Sequence, residues 1–419
     1  MDSHRTDILV LGAGLQGSGI ALELARRGID VTLVDREARP FHRASLRNEG
    51  KIHLGLIYAN DRSRATAFLQ LEGALHFRSI VARWMPPGDE WLALSTPFHY
   101  LVAADSVVPA GDLADHYAAV EQRCRERFAS DPALDYLGER PGDLFRPLSS
   151  AELSEHYAAP RFAAGFATAE RALDTDRLGE AIRRAIAGAP RVTFVPSCRA
   201  TTIVGESGGF RVGGEGPNGP WRLHARQVVN AAWEGRFELD LQLGIAPPEG
   251  LLHRLKYRVI GRLPAALHGA PSVSMVLGRY GDVVVRQDGT AFLSWYPVGL
   301  LGWSHDVAPP ADWDPACRGD VPSEQAREIA SRILVAIEAW YPGMGRCEPL
   351  LVDAGAIVAL GRTDVDDASS ALHDRTRIGV SSHGGYHSVD TGKLTTAPLF
   401  AVEAADRVES FARGAAEDR

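Results

Sequence analysis

Lysine is nearly missing from this chain. It occurs only as Lys51, Lys256 and Lys393 among 45 basic residues, so arginine carries almost all the positive charge. Cysteine is equally sparse. Cys124, Cys198, Cys317 and Cys347 lie far apart and form no Cys-x-x-Cys pair, which excludes the usual spacing of a structural zinc site. No metal site is expected. Sparse cysteine in 419 residues suits a reducing compartment. A basic surplus is missing too: the net charge is −8, without the electrostatic footprint of a nucleic-acid binder. No apolar run is long enough to span a bilayer, and the polar start Met1-Asp2-Ser3-His4-Arg5 lacks the layout of a secretion signal. Repeats and low-complexity tracts are also missing. These absences leave a soluble, cytoplasmic protein of enzyme size, with 45% apolar and 23% charged residues and length for two or three domains.

What is present begins at residue 8. Ile8-Leu9-Val10-Leu11 reads as a buried parallel strand and runs directly into Gly12-Ala13-Gly14-Leu15-Gln16-Gly17. A helix ending at Arg26-Arg27-Gly28 follows, then a second strand, Val31-Thr32-Leu33-Val34, closed by Asp35. Gly12 suits a tight turn, Gly14 a close backbone approach to a pyrophosphate, and Gly17 the packing of helix on strand. The helix N-terminus offers free N–H groups and the positive end of its dipole to phosphates. Asp35, 23 residues after Gly12, stands where a ribose-binding carboxylate is expected. This unit predicts dinucleotide binding, with FAD or NAD favoured by the acid and NADP left open by Arg36.

Three later stretches carry a resemblance. They are Ser45-Leu46-Arg47-Asn48-Glu49-Gly50-Lys51-Ile52-His53-Leu54-Gly55, Ala172-Leu173-Asp174-Thr175-Asp176-Arg177-Leu178, and Gly392-Lys393-Leu394-Thr395-Thr396. With Gln227-Val228-Val229-Asn230-Ala231-Ala232 they resemble, in order, landmarks of the D-amino-acid-oxidase-like flavoproteins. That superfamily includes sarcosine and glycine oxidases, glycerol-3-phosphate dehydrogenase and L-2-hydroxyglutarate dehydrogenase, and the first stretch is most similar to its 2-hydroxy-acid branch. The chain departs from the pattern twice: Thr175 stands where proline is usual, and Trp233 where glycine is usual.

The resemblance implies an α/β chain: an interleaved, Rossmann-like FAD-binding domain of glutathione-reductase type plus a substrate domain on an antiparallel sheet. Segments 1–85, 160–235 and 350–419 would form the first, and 86–159 and 236–349 the second. Alternating apolar stretches such as Phe98–Val102, Tyr257–Ile260 and Phe292–Tyr296 support that sheet, and Asp288-Gly289 marks a hairpin. Helices are expected at Leu113–Arg127, Ser323–Trp340 and Leu399–Val408. FAD contacts would come from Gly12, Gly14, Gly17, Asp35, Ser45, Arg47, Asn48, Gly50, Ala200, Ala231, Gly384, Gly385, Lys393, Leu394 and Thr395. Thr395 is also the expected cap of the last helix.

Flavin enzymes of this kind remove a hydride from a carbon bearing N or O. The expected substrate is a small, anionic amino acid, amine or 2-hydroxy acid, with oxygen or a quinone or other carrier as electron acceptor. His53, His387 and His383 are the candidate bases, because histidine titrates nearest neutrality. Arg362, Arg47 and Arg258 are candidate anion grips, and Lys256 or Lys51 would border the flavin. Trp295, Tyr296 and Trp303 are expected as substrate walls. Two other readings are an NAD(P)H-dependent flavin monooxygenase and a non-catalytic flavin-fold partner. The first lacks its Gly-Asp helix motif, with Ser381-Ser382-His383-Gly384 in that place.

Overall fold

A computed structural model describes residues 4–88, 90–158, 161–367 and 370–417. The first strand, His4–Leu11, lies between two parallel neighbours, Val31–Val34 and Gly219–Asn230. This sheet, eight-stranded in all, continues with Val192–Val195 on one side and Tyr386–Asp390 with Gly379–His383 on the other. Its last two strands, Arg199–Glu206 and Gly209–Gly216, form an antiparallel side ribbon on the long strand Gly219–Asn230. Leu9, Val10, Leu33, Val228 and Val229 are fully buried, as expected of parallel strands covered on both faces.

Helices Leu15–Arg26 and Ala397–Glu417 pack together against this sheet. Their contact is secured by a buried carboxylate. Glu23 accepts from Trp84 Nε1 at 3.0 Å and pairs with Arg26 and Arg27, while Arg27 reaches on to Asp406 at 2.7 Å. Burial alone would raise the Glu23 pKa, but these donors bring it down to about 2.

The second sheet has nine strands. Its order is Leu300–Ser304, Leu251–Arg262, Thr290–Trp295, Gly281–Val285, Ser272–Val276, Phe98–Ala103, Phe162–Thr168 and Phe145–Pro147, with Glu348–Leu360 also on Leu251–Arg262. It is antiparallel except at one place: Ser272–Val276 runs parallel to Phe98–Ala103. The hairpin expected at Asp288-Gly289 joins Gly281–Val285 to Thr290–Trp295. Phe162–Thr168 and Glu348–Leu360 both pair in this second sheet, so the chain changes sheets after 168 and after 360. The expected boundary at 159/160 falls outside the described residues. Helices at Ala110–Ser130 and Ser323–Glu338 cover the expected stretches with slightly different ends.

Candidate active site

A cavity opens at the C-terminal ends of the parallel strands and runs beneath the second sheet. Gly12, with φ +94°, makes the first turn, and its N–H donates to the Val34 carbonyl at 2.8 Å. A Cβ on Gly17 would stand 1.8 Å from the Gly12 carbonyl oxygen, so Gly17 packs the helix start and does not itself line the cavity. Gly14 does line it, with ordinary backbone at φ −65°. Asp35 accepts from the N–H groups of Ala13 and Glu37. Burial pushes its pKa up despite those two donors. Gln16 lies beside them, 4% exposed, and neither atom of its amide has a protein partner. An orphaned buried amide in such a cradle calls for a polar ligand.

Residues 45–51 follow the wall. Ser45 Oγ accepts from Leu15 N at 2.9 Å, and the Asn48 side chain closes its own turn through Ala44, Ser45 and Gly50. Thr175, in the usual proline place, donates from Oγ1 to the Leu46 carbonyl at 2.9 Å. The hydroxyl therefore ties this loop to the start of helix Thr175–Gly188. Gly50, with φ +73°, sits behind the lining against Leu173. Ala200 and Ala231 line the cavity, as do Lys393 and Leu394. Trp233 holds a left-handed φ of +51°, and its Nε1 donates to the Ala356 carbonyl at 2.9 Å. That bond offsets the strain that explains why glycine is usual there.

All three lysines meet in this one cavity. Lys51 Nζ contacts Ser274 Oγ, lies 3.2 Å from Asp282 and sits over the Phe98 ring. Lys256 Nζ is 3.6 Å from Asp282 and 4.5 Å from the Tyr296 ring centre. Burial opposes the Lys256 charge, yet Tyr296, Asp282 and Glu49 hold its pKa above normal. Lys393 differs: burial lowers it to about 8, with Glu49 opposing. His53 enters from the loop, its N–H held by Thr395 Oγ1 at 2.9 Å. Burial keeps His53 below its usual value although Glu170 pulls the other way. Thr395 thus fastens the last helix to the His53 loop, where a cap on its own helix was expected.

Several expected residues lie elsewhere. Arg362 is an exposed side chain 3.1 Å from exposed Glu249, outside the cavity. Its loop leaves the second sheet pointing outward, so it cannot grip a ligand inside. His387 is buried in the first sheet between Ser382 Oγ at 2.8 Å and Gln227 Oε1 at 3.1 Å, and burial lowers it to about 4. It is a satisfied core histidine. His383, Gly384 and Gly385 form the hairpin turn at the start of strand Tyr386–Asp390. The cavity meets that strand's far end at Thr391, ~16 Å away at ~3.3 Å per residue.

Arg47 and Arg258 line the cavity, but their forks are spent on protein. Arg258 grips Asp353 at 2.6 and 3.2 Å and donates to the Leu46 carbonyl, while Arg47 contacts Asp353 at 3.0 Å and donates to the carbonyls of His42 and Arg318. Tyr296 lines the cavity, whereas Trp295 packs on Trp340 and Trp303 is partly exposed. Sequence reasoning missed Gln16, Glu49, Glu170, Asp282, His373 and Arg375. Glu49 lies within the Ser45–Gly55 stretch and was legible as a charge near His53. No periodicity or motif marked Arg375, which is 6% exposed, has no partner for Nε and lines the cavity. His373, desolvated and facing Lys393 and Arg375, is lowered to about 3.

A glycine cradle beside parallel strands, opening into a charged chamber under a second sheet, defines a two-part, dinucleotide-dependent enzyme. A family model described as DAO, FAD dependent oxidoreductase, matches residues 7–407. The chain belongs to that family and is an FAD-dependent oxidoreductase. It is similar in fold to glycine oxidase from Geobacillus kaustophilus, with TM-score 0.69 and 16% identity over 97% of this chain and 95% of that one. It is similar also to L-alpha-glycerophosphate oxidase from Mycoplasma pneumoniae, solved with FAD bound, with TM-score 0.66 and 17% identity over 97% and 95%. A 66-residue stretch is 41% identical to one component of the anaerobic glycerol-3-phosphate dehydrogenase of Haemophilus influenzae, covering 16% of this chain and 12% of that relative. The orphaned Gln16 amide and the cavity-lining Gly14, where a Cβ would meet Ser45 Oγ at 2.9 Å, fit a pyrophosphate-bearing cofactor such as FAD. Among the described residues no helix is long and apolar enough to cross a membrane, and no cluster of metal ligands occurs.

Proposed function

We propose that this chain oxidises a C–OH or C–N bond in a small anionic substrate, passing a hydride to FAD. Gly12, Gly14, Gln16 and Asp35 would hold the nucleotide half. Residues 45–51 and 391–394 would hold the flavin half, with the last helix directing the positive end of its dipole toward it. When bound, FAD supplies the two-electron sink. The first sheet would form the cofactor domain and the second the substrate domain.

Charge carries this reading. Lys51, Lys256, Lys393 and Arg375 face the same cavity as Glu49 and Asp282, and Asp282 is already shared between two lysines. The surplus cation calls for an anion on the substrate. Arg375 and Lys393 are the groups with capacity left to bind it, and neutral His53 stands ready to take a proton. Anaerobic flavin bleaching against amino acids, amines, 2-hydroxy acids and sugar phosphates tests the proposal. Bleaching by an anionic member is expected; bleaching by neutral or cationic members alone would refute it. Oxygen or a quinone-type carrier is the proposed acceptor, measured by comparing reoxidation rates with each. A cytoplasmic location is proposed from four unpaired thiols, and fractionation checks it.

A further inference from the structure

Behind His53, outside the cavity lining, lies a carboxylate that no part of the proposed chemistry yet uses. Glu170 is wholly buried, in the short link between the second sheet and strand Arg171–Ala172. Its Oε1 accepts from the Tyr100 hydroxyl and stands 3.5 Å from His53 Nδ1, while its Oε2 accepts from Leu54 N at 2.8 Å. Its own backbone is fixed as well, with its carbonyl accepting from Phe98 N at 3.0 Å. The carboxylate is therefore clamped by the sheet on one side and the His53 loop on the other. On the opposite edge of the imidazole, Nε2 faces the cavity, 3.9 Å from Glu49.

We propose that Glu170 is the positioning residue of a His53–Glu170 pair serving a hydroxyl-bearing substrate. Glu170 keeps the proton on Nδ1 and leaves Nε2 as the atom that receives the alcohol proton. The inference rests on the reading of His53 as proton acceptor and narrows it to C–OH oxidation. In that step the C–H bond leaves as hydride to the FAD. The O–H proton goes to Nε2, and the oxygen's remaining pair closes the carbonyl. A carboxylate behind a histidine sets its tautomer and stabilises the imidazolium that forms. The surroundings disfavour the amine alternative: Lys393, Lys51 and Lys256 crowd the cavity, and a substrate ammonium would meet their repulsion where a hydroxyl would not.

The groups facing His53 are Glu170 and Tyr100 behind it, Glu49, Lys51 and Lys393 toward the cavity, and Tyr58 with His373 beside its ring. Of these, Glu170, 3.5 Å from an Nδ1 that has no hydrogen-bond partner, raises the histidine's pKa by its negative charge, so its loss must lower it. The test uses FAD-loaded protein and anaerobic stopped-flow reduction across pH, with lactate, malate and 2-hydroxyglutarate beside alanine and glutamate. Glu170→Gln should retain FAD, slow the plateau rate roughly 10–100-fold, and move the acidic limb to lower pH. Tyr100→Phe removes one donor from the carboxylate and should move that limb to higher pH, with the rate near wild type. Nitrogen-15 shifts of His53 should report an Nδ1–H tautomer in wild type that is lost in Glu170→Gln.

An unmoved limb in both variants, or an unchanged tautomer, would overturn the role of Glu170. Should Glu170→Gln fail to fold, Tyr100→Phe and the wild-type tautomer decide alone. Reduction by amino acids but not hydroxy acids would overturn the substrate class. Failure of the underlying reading looks different: His53→Ala would then reduce the flavin at the wild-type rate.

Discussion

Removing the charge of Asp353 should destabilise the protein far more than removing any surface carboxylate. Asp353 is 1% exposed and serves two guanidinium groups, Arg258 at 2% and Arg47 at 4% side-chain exposure. Asp353→Asn leaves both cations buried with only neutral carbonyl partners, those of Leu46, Asn48, His42 and Arg318. Breaking a buried pair in this way costs ~3–5 kcal/mol, because an uncompensated charge remains. At ~1.4 kcal/mol per tenfold, the unfolding constant rises roughly 100- to 4,000-fold. The exposed pair Arg362–Glu249 is an internal control, since Glu249→Gln removes an interaction of about 0–1 kcal/mol. Urea titration followed by tryptophan and flavin fluorescence reads both effects. Arg47 and Arg258 brace residues 42–48, so FAD should be released at or before the main transition in Asp353→Asn. A variant within ~1 kcal/mol of wild type, with FAD retained throughout, would refute the argument.

Gly14→Asp should abolish FAD retention, because its side chain would meet Ser45 Oγ, 2.9 Å from the added Cβ, and set a negative charge in the glycine cradle; a fully yellow preparation contradicts this. Lys393 is lowered to about 8, so it is charged below that pH and neutral above it. The KM for an anionic substrate should therefore climb as pH rises through 8, and that limb should vanish in Lys393→Met, which should also shift flavin affinity or potential. Arg375→Ala should raise KM about 10–100-fold, the equivalent of a lost charged hydrogen bond of ~1.5–3 kcal/mol. Arg362→Ala should leave KM unchanged, and steady-state kinetics on both variants separate the two arginines.

Local chemistry made the nucleotide half legible. The functions of Gly12, Gly17 and Asp35 follow from backbone sterics and hydrogen bonding within a contiguous strand–turn–helix, so their spacing along the chain suffices to place them. The loop from Ser45 to His53 and the stretch from Gly392 to Thr396 were legible through their resemblance to family segments. The Thr395–His53 bond between them was not, since it joins positions 342 residues apart. His387 and Arg362 were misjudged because type and neighbourhood cannot tell which side of a strand or loop a side chain takes. His387 points into a sheet interior that satisfies both its nitrogens, and Arg362 points to solvent.

What the sequence alone determined was the dinucleotide unit, because it depends on short-range periodicity and turn chemistry; the two-sheet class and the site role of the later segments came from their resemblance to a family. The tertiary structure decided which charges meet. Lys51, Lys256 and Lys393 are rare in the chain yet share one cavity, Asp353 consumes two arginines that looked free, and Glu170 meets His53 because the strands Lys51–Ile52 and Arg171–Ala172, far apart in sequence, pair side by side. Electrostatic partnership depends on distance and burial, and only the folded packing sets either.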